Sequence, residues 1–164
     1  MKILILGSSG ILGKKLYDIF KGKATIHHNG IVKRKYELNY HNLKKIILKS
    51  KPEYVFNCVA ITDIDFCEKN KILCKKINTN IIKYIFEIKK KYKLDFKLIH
   101  FSTDQMYDGN KLKFSSENSK IFINNYYTKT KIMSEKICLK NYALVFRINF
   151  FGYKIGRASC RERV

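Results

Sequence analysis

Tyr127 and Lys131 stand four residues apart in Tyr127-Thr128-Lys129-Thr130-Lys131. On a helix, positions four apart share a face. An ammonium on that face lowers the pKa of the phenol, which can then give a proton to a carbonyl oxygen as hydride arrives. The spacing alone is common by chance. Ser102-Thr103-Asp104, at the end of an apolar run, adds a hydroxyl and a carboxylate. Ligands of parallel α/β sheets bind outside the carboxyl ends of the strands, so this position suits a site. The plainer readings are a strand-end cap for Thr103 and a turn residue for Asp104.

A third group has the residues to hold phosphate. Gly7, Gly10 and Gly13 recur at three-residue spacing between an apolar strand and a helix. In that context the first glycine permits a tight turn, the second lets the backbone approach a pyrophosphate, and the third lets helix and strand pack closely. The N–H groups opening the helix then face the phosphates. An ordinary βα turn is the alternative. The acidic residue that usually follows by about 20 positions and binds a ribose 2′-hydroxyl is missing. His27-His28-Asn29-Gly30-Ile31-Val32-Lys33-Arg34-Lys35 stands there instead. Arg34 or its basic neighbours could meet a 2′-phosphate, which slightly favours NADP over NAD, although in so lysine-rich a chain they could equally be solvated.

These groups need a scaffold, and the hydrophobic pattern supplies one. Strands are predicted at Lys2–Gly7, Ala24–His28, Tyr54–Ala60, Phe96–Ser102 and Ala143–Asn149. Helices are predicted from Gly13 to about Lys21, over Tyr40–Lys49, over Ile72–Lys91 and over Tyr127–Leu139, with Asp108–Asn125 a polar loop. Ile77, Ile81, Ile82, Ile85 and Ile88 keep helical spacing, and Lys89-Lys90-Lys91 suits the negative end of that helix. Strands alternating with helices mean a Rossmann-like, doubly wound α/β fold with a parallel sheet. No internal repeat interrupts it.

The 164 residues carry a net charge of +21. A nucleic-acid partner is not inferred from it. Nearly all the charge is lysine, and Ile, Asn, Tyr and Phe are also abundant, a bias that A/T-rich codons produce without selection for a polyanion. The lysines are dispersed rather than striped. No apolar run approaches the ~18 residues of a membrane span, and the N-terminal run is too short for a signal peptide. A cytoplasmic protein without membrane attachment is expected. Cys58, Cys67, Cys74 and Cys138 form no CxxC pair and read as reduced thiols, with no metal site.

Residues 155–164 break the composition, with three arginines and no lysine. One back-translation of them looks like a sequencing-library adapter, so the natural chain is expected to leave this frame near Lys154; a native basic tail is the alternative. Residues 1–154 are then an NAD(P)-binding domain cut before its substrate-binding part. With no sixth strand readable, such a fragment is expected to fold and to lack turnover.

Together these pieces resemble the extended short-chain dehydrogenase/reductases, and among them the dTDP-4-dehydrorhamnose reductase family. The resemblance rests on Met1–Gly7 with its glycine turn and on Asn57-Cys58-Val59-Ala60-Ile61-Thr62 with Asp65 and Glu68. It continues through Phe101–Gly109, Asn125–Lys131 with Glu135, and Phe146-Arg147. It implies an NAD(P)-dependent reductase of a nucleotide-linked 4-keto sugar. Thr103, Tyr127 and Lys131 would be catalytic, with Lys131 also on the nicotinamide ribose. Gly10, Ile11 and Leu12 would meet the pyrophosphate, and Leu38 and Asn39 would lie near the adenine. Ala60, Ile61, Thr62 and Phe101 would line the cofactor cleft, and Thr103 and Asp104 would face the sugar. The resemblance also allows a magnesium ion and a homodimer. Thr128 in place of the usual Gly, Asn39 in place of Asp, and Met106-Tyr107 in place of Val-Phe depart from the family pattern. Two other readings use the same residues: a sugar-nucleotide epimerase or dehydratase, and a non-enzymatic regulatory subunit of the methionine adenosyltransferase type.

Overall fold

The computed structural model describes residues 1–28, 38–107 and 115–149. Arg34 and the 155–164 tail lie outside the described residues. Five parallel strands, β1 (Lys2–Leu6), β2 (Thr25–His28), β3 (Tyr54–Asn57), β4 (Lys97–Thr103) and β5 (Leu144–Ile148), form one sheet in the order β2-β1-β3-β4-β5. All four pairings are parallel, with Leu4 opposite Val55 and Phe56 opposite Ile99. The chain steps from β1 to one side, then crosses to the other to lay down β3. The reversal opens a crevice at the carboxyl ends of β1 and β3, where α/β sheets take their ligands.

The helices are α1 (Ile11–Phe20), α2 (Tyr40–Ser50), α3 (Ile64–Lys69), α4 (Lys71–Lys75), α5 (Ile81–Lys91) and α6 (Tyr126–Lys140). Right-handed crossovers put α2, α5 and α6 on one face of the sheet and α1 on the other. The contacts agree: α2 packs on α5, and α5 on α6, while Phe20 of α1 meets Phe56 of β3 ring to ring at 5.5 Å. Between the three-helix layer and the sheet lies the core. Leu4, Leu6, Leu43, Ile47, Val55, Ile77, Ile81, Ile85 and Ile88 are all fully buried there. Lys89, Lys90 and Lys91 close the last turn of α5, as the charge pattern predicts.

One predicted helix is broken. The stretch expected as Ile72–Lys91 is α4, a π-helical turn at Lys76–Asn80, and α5. The unanticipated α3 precedes it, capped by Asp63, whose side chain accepts from Phe66 N–H at 2.9 Å. The wide turn brings Ile77, Asn78 and Thr79 inward together, and the side chain of Asn78 is committed outside the helix. Periodicity cannot register such a tertiary demand. The third strand likewise ends at Asn57 rather than Ala60, because residues 58–62 serve the crevice instead of the sheet.

Candidate active site

The crevice is built from the ends of four elements. From β1 comes the glycine turn. Gly7 has φ +83°, and a Cβ there would lie 2.9 Å from the Cys58 carbonyl carbon. At Gly13 a Cβ would lie 2.2 Å from the Gly7 carbonyl oxygen. The turn therefore tolerates no side chain at either position, and α1 sits tightly on the strand. Gly10 differs: a Cβ would meet only Gly7 O, at 3.4 Å, so the space above it is open. Gly10 caps α1 without a side-chain hydrogen bond, and no acid occupies the first turn. The N-terminal N–H groups and the helix dipole face that space, a combination that attracts anions. Ile11 is exposed and Leu12 lines the cleft.

From β3 comes the segment 58–62. Cys58, Val59, Ala60 and Thr62 line the cleft. Ile61 points the other way, into the core, and Asn78 clamps its backbone. The Asn78 carboxamide accepts from Ile61 N–H at 2.8 Å and donates to Ile61 C=O at 3.0 Å. The same Nδ2 donates to Thr130 Oγ1 on α6 at 3.1 Å. One buried amide thus fixes the cleft wall to the helix that carries Tyr127 and Lys131.

From β4 come Phe101 and Ser102, both in the cleft wall, followed by Thr103 and the 3-10 turn Asp104–Met106. Thr103 Oγ1 accepts from Gln105 N–H at 3.2 Å, as a strand-end cap would, and its side chain lowers the Tyr127 pKa against burial. The plainer reading of Thr103, a strand-end cap, holds. Ser102 Oγ and Asp104 Oδ1 are buried polar atoms with no protein partner, and such atoms in native structures need an explanation.

From α6 come Tyr127 and Lys131, both in the cleft wall. Asn125 caps the helix, accepting from Thr128 N–H at 2.7 Å, and Glu68 accepts from Tyr126 N–H at 2.5 Å. Thr128, where the family pattern has Gly, is fully buried with its hydroxyl unpartnered. Lys131 Nζ donates to Phe101 C=O at 2.5 Å. Burial pushes its pKa down to about 8, against the opposing pull of nearby thiols and Glu135.

The expected lowering of the Tyr127 pKa is not found. Burial raises it, and the Thr103 hydrogen bond only partly offsets this. Desolvation of the buried phenolate is the first cause of the rise. A protonated phenol at neutral pH is the form a proton donor requires.

Behind these groups runs a polar chain that sequence reasoning missed. Asn57 Nδ2 lies 3.2 Å from His100 Nδ1, and His100 Nε2 lies 3.0 Å from Ser134 Oγ, which donates to Lys131 C=O at 2.8 Å. The network assigns the tautomer: Nδ1 accepts from Asn57 and Nε2–H donates to Ser134. Burial first, and the Lys131 charge second, hold His100 well below the usual histidine range. The imidazole is a neutral strut under the active-site helix. Glu135 and Arg147 form a two-pronged ion pair that ties α6 to β5, and Arg147 also donates to Tyr107 Oη at 2.6 Å. A signal existed for His100, a polar residue inside Leu98-Ile99-His100-Phe101. None existed for the distant partners.

Of the remaining predicted residues, Leu38 is fully buried in the core, and Asn39 caps α2 by accepting from Asn42 N–H at 2.9 Å. Both precede α2 outside the cleft lining. Among the described residues no cluster of three or more His, Cys, Asp or Glu could hold a metal, and no helix is long and apolar enough to cross a membrane.

Comparison with known proteins follows the same lines. Over 149 residues the chain is 26% identical to a bifunctional dTDP-4-dehydrorhamnose 3,5-epimerase/dTDP-4-dehydrorhamnose reductase of Arabidopsis thaliana, covering 85% of this chain and 48% of that one. A crystal structure of a dTDP-4-dehydrorhamnose reductase from Clostridium acetobutylicum superposes with a TM-score of 0.75 at 29% identity, covering 85% of this chain and 49% of that chain. The Bacillus anthracis dTDP-4-dehydrorhamnose reductase in complex with NADP shares the fold, with a TM-score of 0.78 at 22% identity, covering 90% and 53%. The chain spans about half the length of these relatives. Residues 1–155 match the model of the RmlD substrate binding domain, and the chain belongs to that family.

Proposed function

We propose that this chain is the dinucleotide-binding half of an NAD(P)-dependent reductase acting on a nucleotide-linked 4-keto sugar of the dTDP-4-dehydrorhamnose kind. One observation carries the reading: Tyr127, Lys131 and the carboxyl end of β4 meet Leu12 of the glycine turn in a single cleft. The character of the lining supports a dinucleotide. The space above Gly10 is open, no side chain caps the α1 N-terminus, and Ser102 Oγ is buried without a partner in the cleft wall. Gly7 and Gly13 shape the turn, Gly10, Ile11 and Leu12 would meet the pyrophosphate, and Ala60, Ile61, Thr62 and Phe101 would frame the rest, with Ile61 acting through its backbone. Leu38, buried in the core, and Asn39, whose side chain caps α2, would approach the adenine only through their backbone. Arg34 favours NADPH. The Bacillus anthracis structure contains NADP, which supports that class of cofactor.

The bound nicotinamide supplies hydride. Tyr127, held protonated by burial and oriented by Thr103, gives its proton to the sugar C4 oxygen as that oxygen gains charge. Lys131, anchored to the Phe101 carbonyl, holds the nicotinamide ribose and keeps a positive charge near the phenolate that results. Asp104, with one buried oxygen unpartnered, would accept from a sugar hydroxyl. A cytoplasmic setting and a homodimer are part of this proposal. No step is assigned to magnesium.

The test is turnover by a version of this protein extended to the length of its relatives, given NADPH and a dTDP-4-keto-6-deoxy sugar. A reductase oxidises one NADPH per sugar reduced. An epimerase or dehydratase returns the hydride and leaves the cofactor pool unchanged. A regulatory subunit binds nucleotide without either change. Either of the last two results would overturn the proposal.

A further inference from the structure

Two buried cysteines that the site chemistry does not use lie against each other. Cys67 of α3 and Cys74 of α4 are both fully buried, and their Sγ atoms are 2.6 Å apart. Ordinary packing keeps thiols further apart, and a disulfide bond is only about half an ångström shorter. Neither is joined in a disulfide. The break at Asn70 makes the contact. On one straight helix, residues seven apart would be separated by about 10 Å along the axis, but the corner between α3 and α4 folds Cys74 back onto Cys67.

The pair is wedged between the cleft wall and the active-site helix. Cys67 Sγ donates to Ile61 C=O at 3.6 Å. Cys74 Sγ accepts from Asn78 Nδ2 at 3.3 Å and lies 3.6 Å from Thr130 Oγ1. Ile61 belongs to the cleft segment, and Thr130 stands between Tyr127 and Lys131. The two sulfurs thus touch the partners through which Asn78 locks the site together.

We propose that Cys67 and Cys74 are a redox modification site that closes into an intramolecular disulfide in exchange with a low-molecular-weight disulfide such as glutathione disulfide. One cysteine thiolate attacks that disulfide and releases a glutathione thiolate. The other cysteine thiolate then displaces the second glutathione from the mixed disulfide. The cysteines together lose two protons and two electrons, and the oxidant leaves as two glutathione thiols. The second step is intramolecular between sulfurs already in contact, so closure outruns accumulation of the mixed disulfide. Burial makes the first step wait for the α3–α4 corner to open. Closure removes the S–H that Cys67 gives to the Ile61 carbonyl and pins the corner beneath α6.

The test is a redox titration of the chain in glutathione buffers stepped from reduced to oxidised. Samples are quenched in acid, free thiols are blocked with a maleimide, and the masses are read. Cys67 and Cys74 are expected to become protected together, with loss of two hydrogen masses, and to cross-link the tryptic peptide ending at Lys69 to Ile72–Lys75. Cys67→Ser and Cys74→Ser should each abolish the cross-link and leave the remaining cysteine glutathionylated. Cys58→Ser, in the same tryptic peptide as Cys67, should keep it. The same buffers applied while the wild-type chain refolds from denaturant remove burial as an obstacle. No cross-link in either experiment, or one that survives Cys67→Ser, overturns the proposal.

Discussion

Asn78→Ala should cost more stability than any single apolar truncation of comparable size, because it opens the three buried hydrogen bonds that hold Ile61 and Thr130 as well as the contact to Cys74 Sγ. The Asn78 side chain accepts from Ile61 N–H at 2.8 Å and donates to Ile61 C=O at 3.0 Å and to Thr130 Oγ1 at 3.1 Å. Ile61 is 2% exposed, so water cannot replace the partner of its N–H. An orphaned buried group costs about 1–3 kcal/mol, and the lost bonds to carbonyl and hydroxyl add to it. Some of the loss is relieved because Cys67 Sγ stays near the Ile61 carbonyl and Thr130 Oγ1 still donates to Tyr127 C=O at 2.7 Å. A total of about 3–5 kcal/mol results, a large share of the 5–15 kcal/mol typical of a domain. Urea unfolding followed by circular dichroism measures it, with the exposed Lys76→Ala on the same turn as a control expected within about 0.5 kcal/mol of wild type. Hydrogen exchange should show the Ile61 amide losing protection. A loss below about 1 kcal/mol with that amide still protected would refute the clamp.

Other expectations concern the site itself. In a version of the protein that turns over, Tyr127→Phe should lower kcat by roughly 10²–10⁴-fold, as loss of a general acid does, with cofactor affinity little changed; full activity would remove the phenol from the chemistry. NADPH should bind more tightly than NADH, and Arg34→Ala should narrow the gap; tighter NADH binding in parallel titrations would reverse the assignment. Lys131 titrates near pH 8 when folded, below its usual 10.5. Between those values the unfolded chain holds a proton that the folded chain lacks, so Lys131 makes stability rise with pH, by roughly 3 kcal/mol in all. Subtracting the stability of Lys131→Met cancels the thiols and tyrosines common to both chains. The difference should climb from pH 8 upward, and a flat difference would contradict the buried ammonium.

The parts legible in the sequence were those whose signal is local. Alternating apolar strands and helices gave the parallel sheet. The glycine turn was readable because its three positions are adjacent in sequence and the chemistry of each is backbone geometry. Tyr127 and Lys131 were readable because helical periodicity fixes their shared face. What escaped was polar and nonlocal. Asn78 is an amide in a lysine-rich helical stretch, and its importance comes from Ile61 and Thr130, far away in the chain. Ser134 and Asn57 matter only because His100 lies between them. The Tyr127 pKa was misjudged because spacing does not reveal burial, the first cause of its rise. Cys67 and Cys74 looked scattered because the bend at Asn70 cannot be read from periodicity.

The dinucleotide cleft is tested most directly by an equilibrium titration of NADPH into the purified chain, alongside Gly13→Val. A Cβ at Gly13 would fall 2.2 Å from the Gly7 carbonyl oxygen, so any side chain there must force α1 off the turn. The wild-type chain is expected to bind NADPH saturably at one site, and the folded variant to lose that binding. A wild-type chain that is folded by circular dichroism yet shows no saturable binding, or a Gly13→Val chain that binds as well as wild type, would contradict the assignment of this cleft to a dinucleotide.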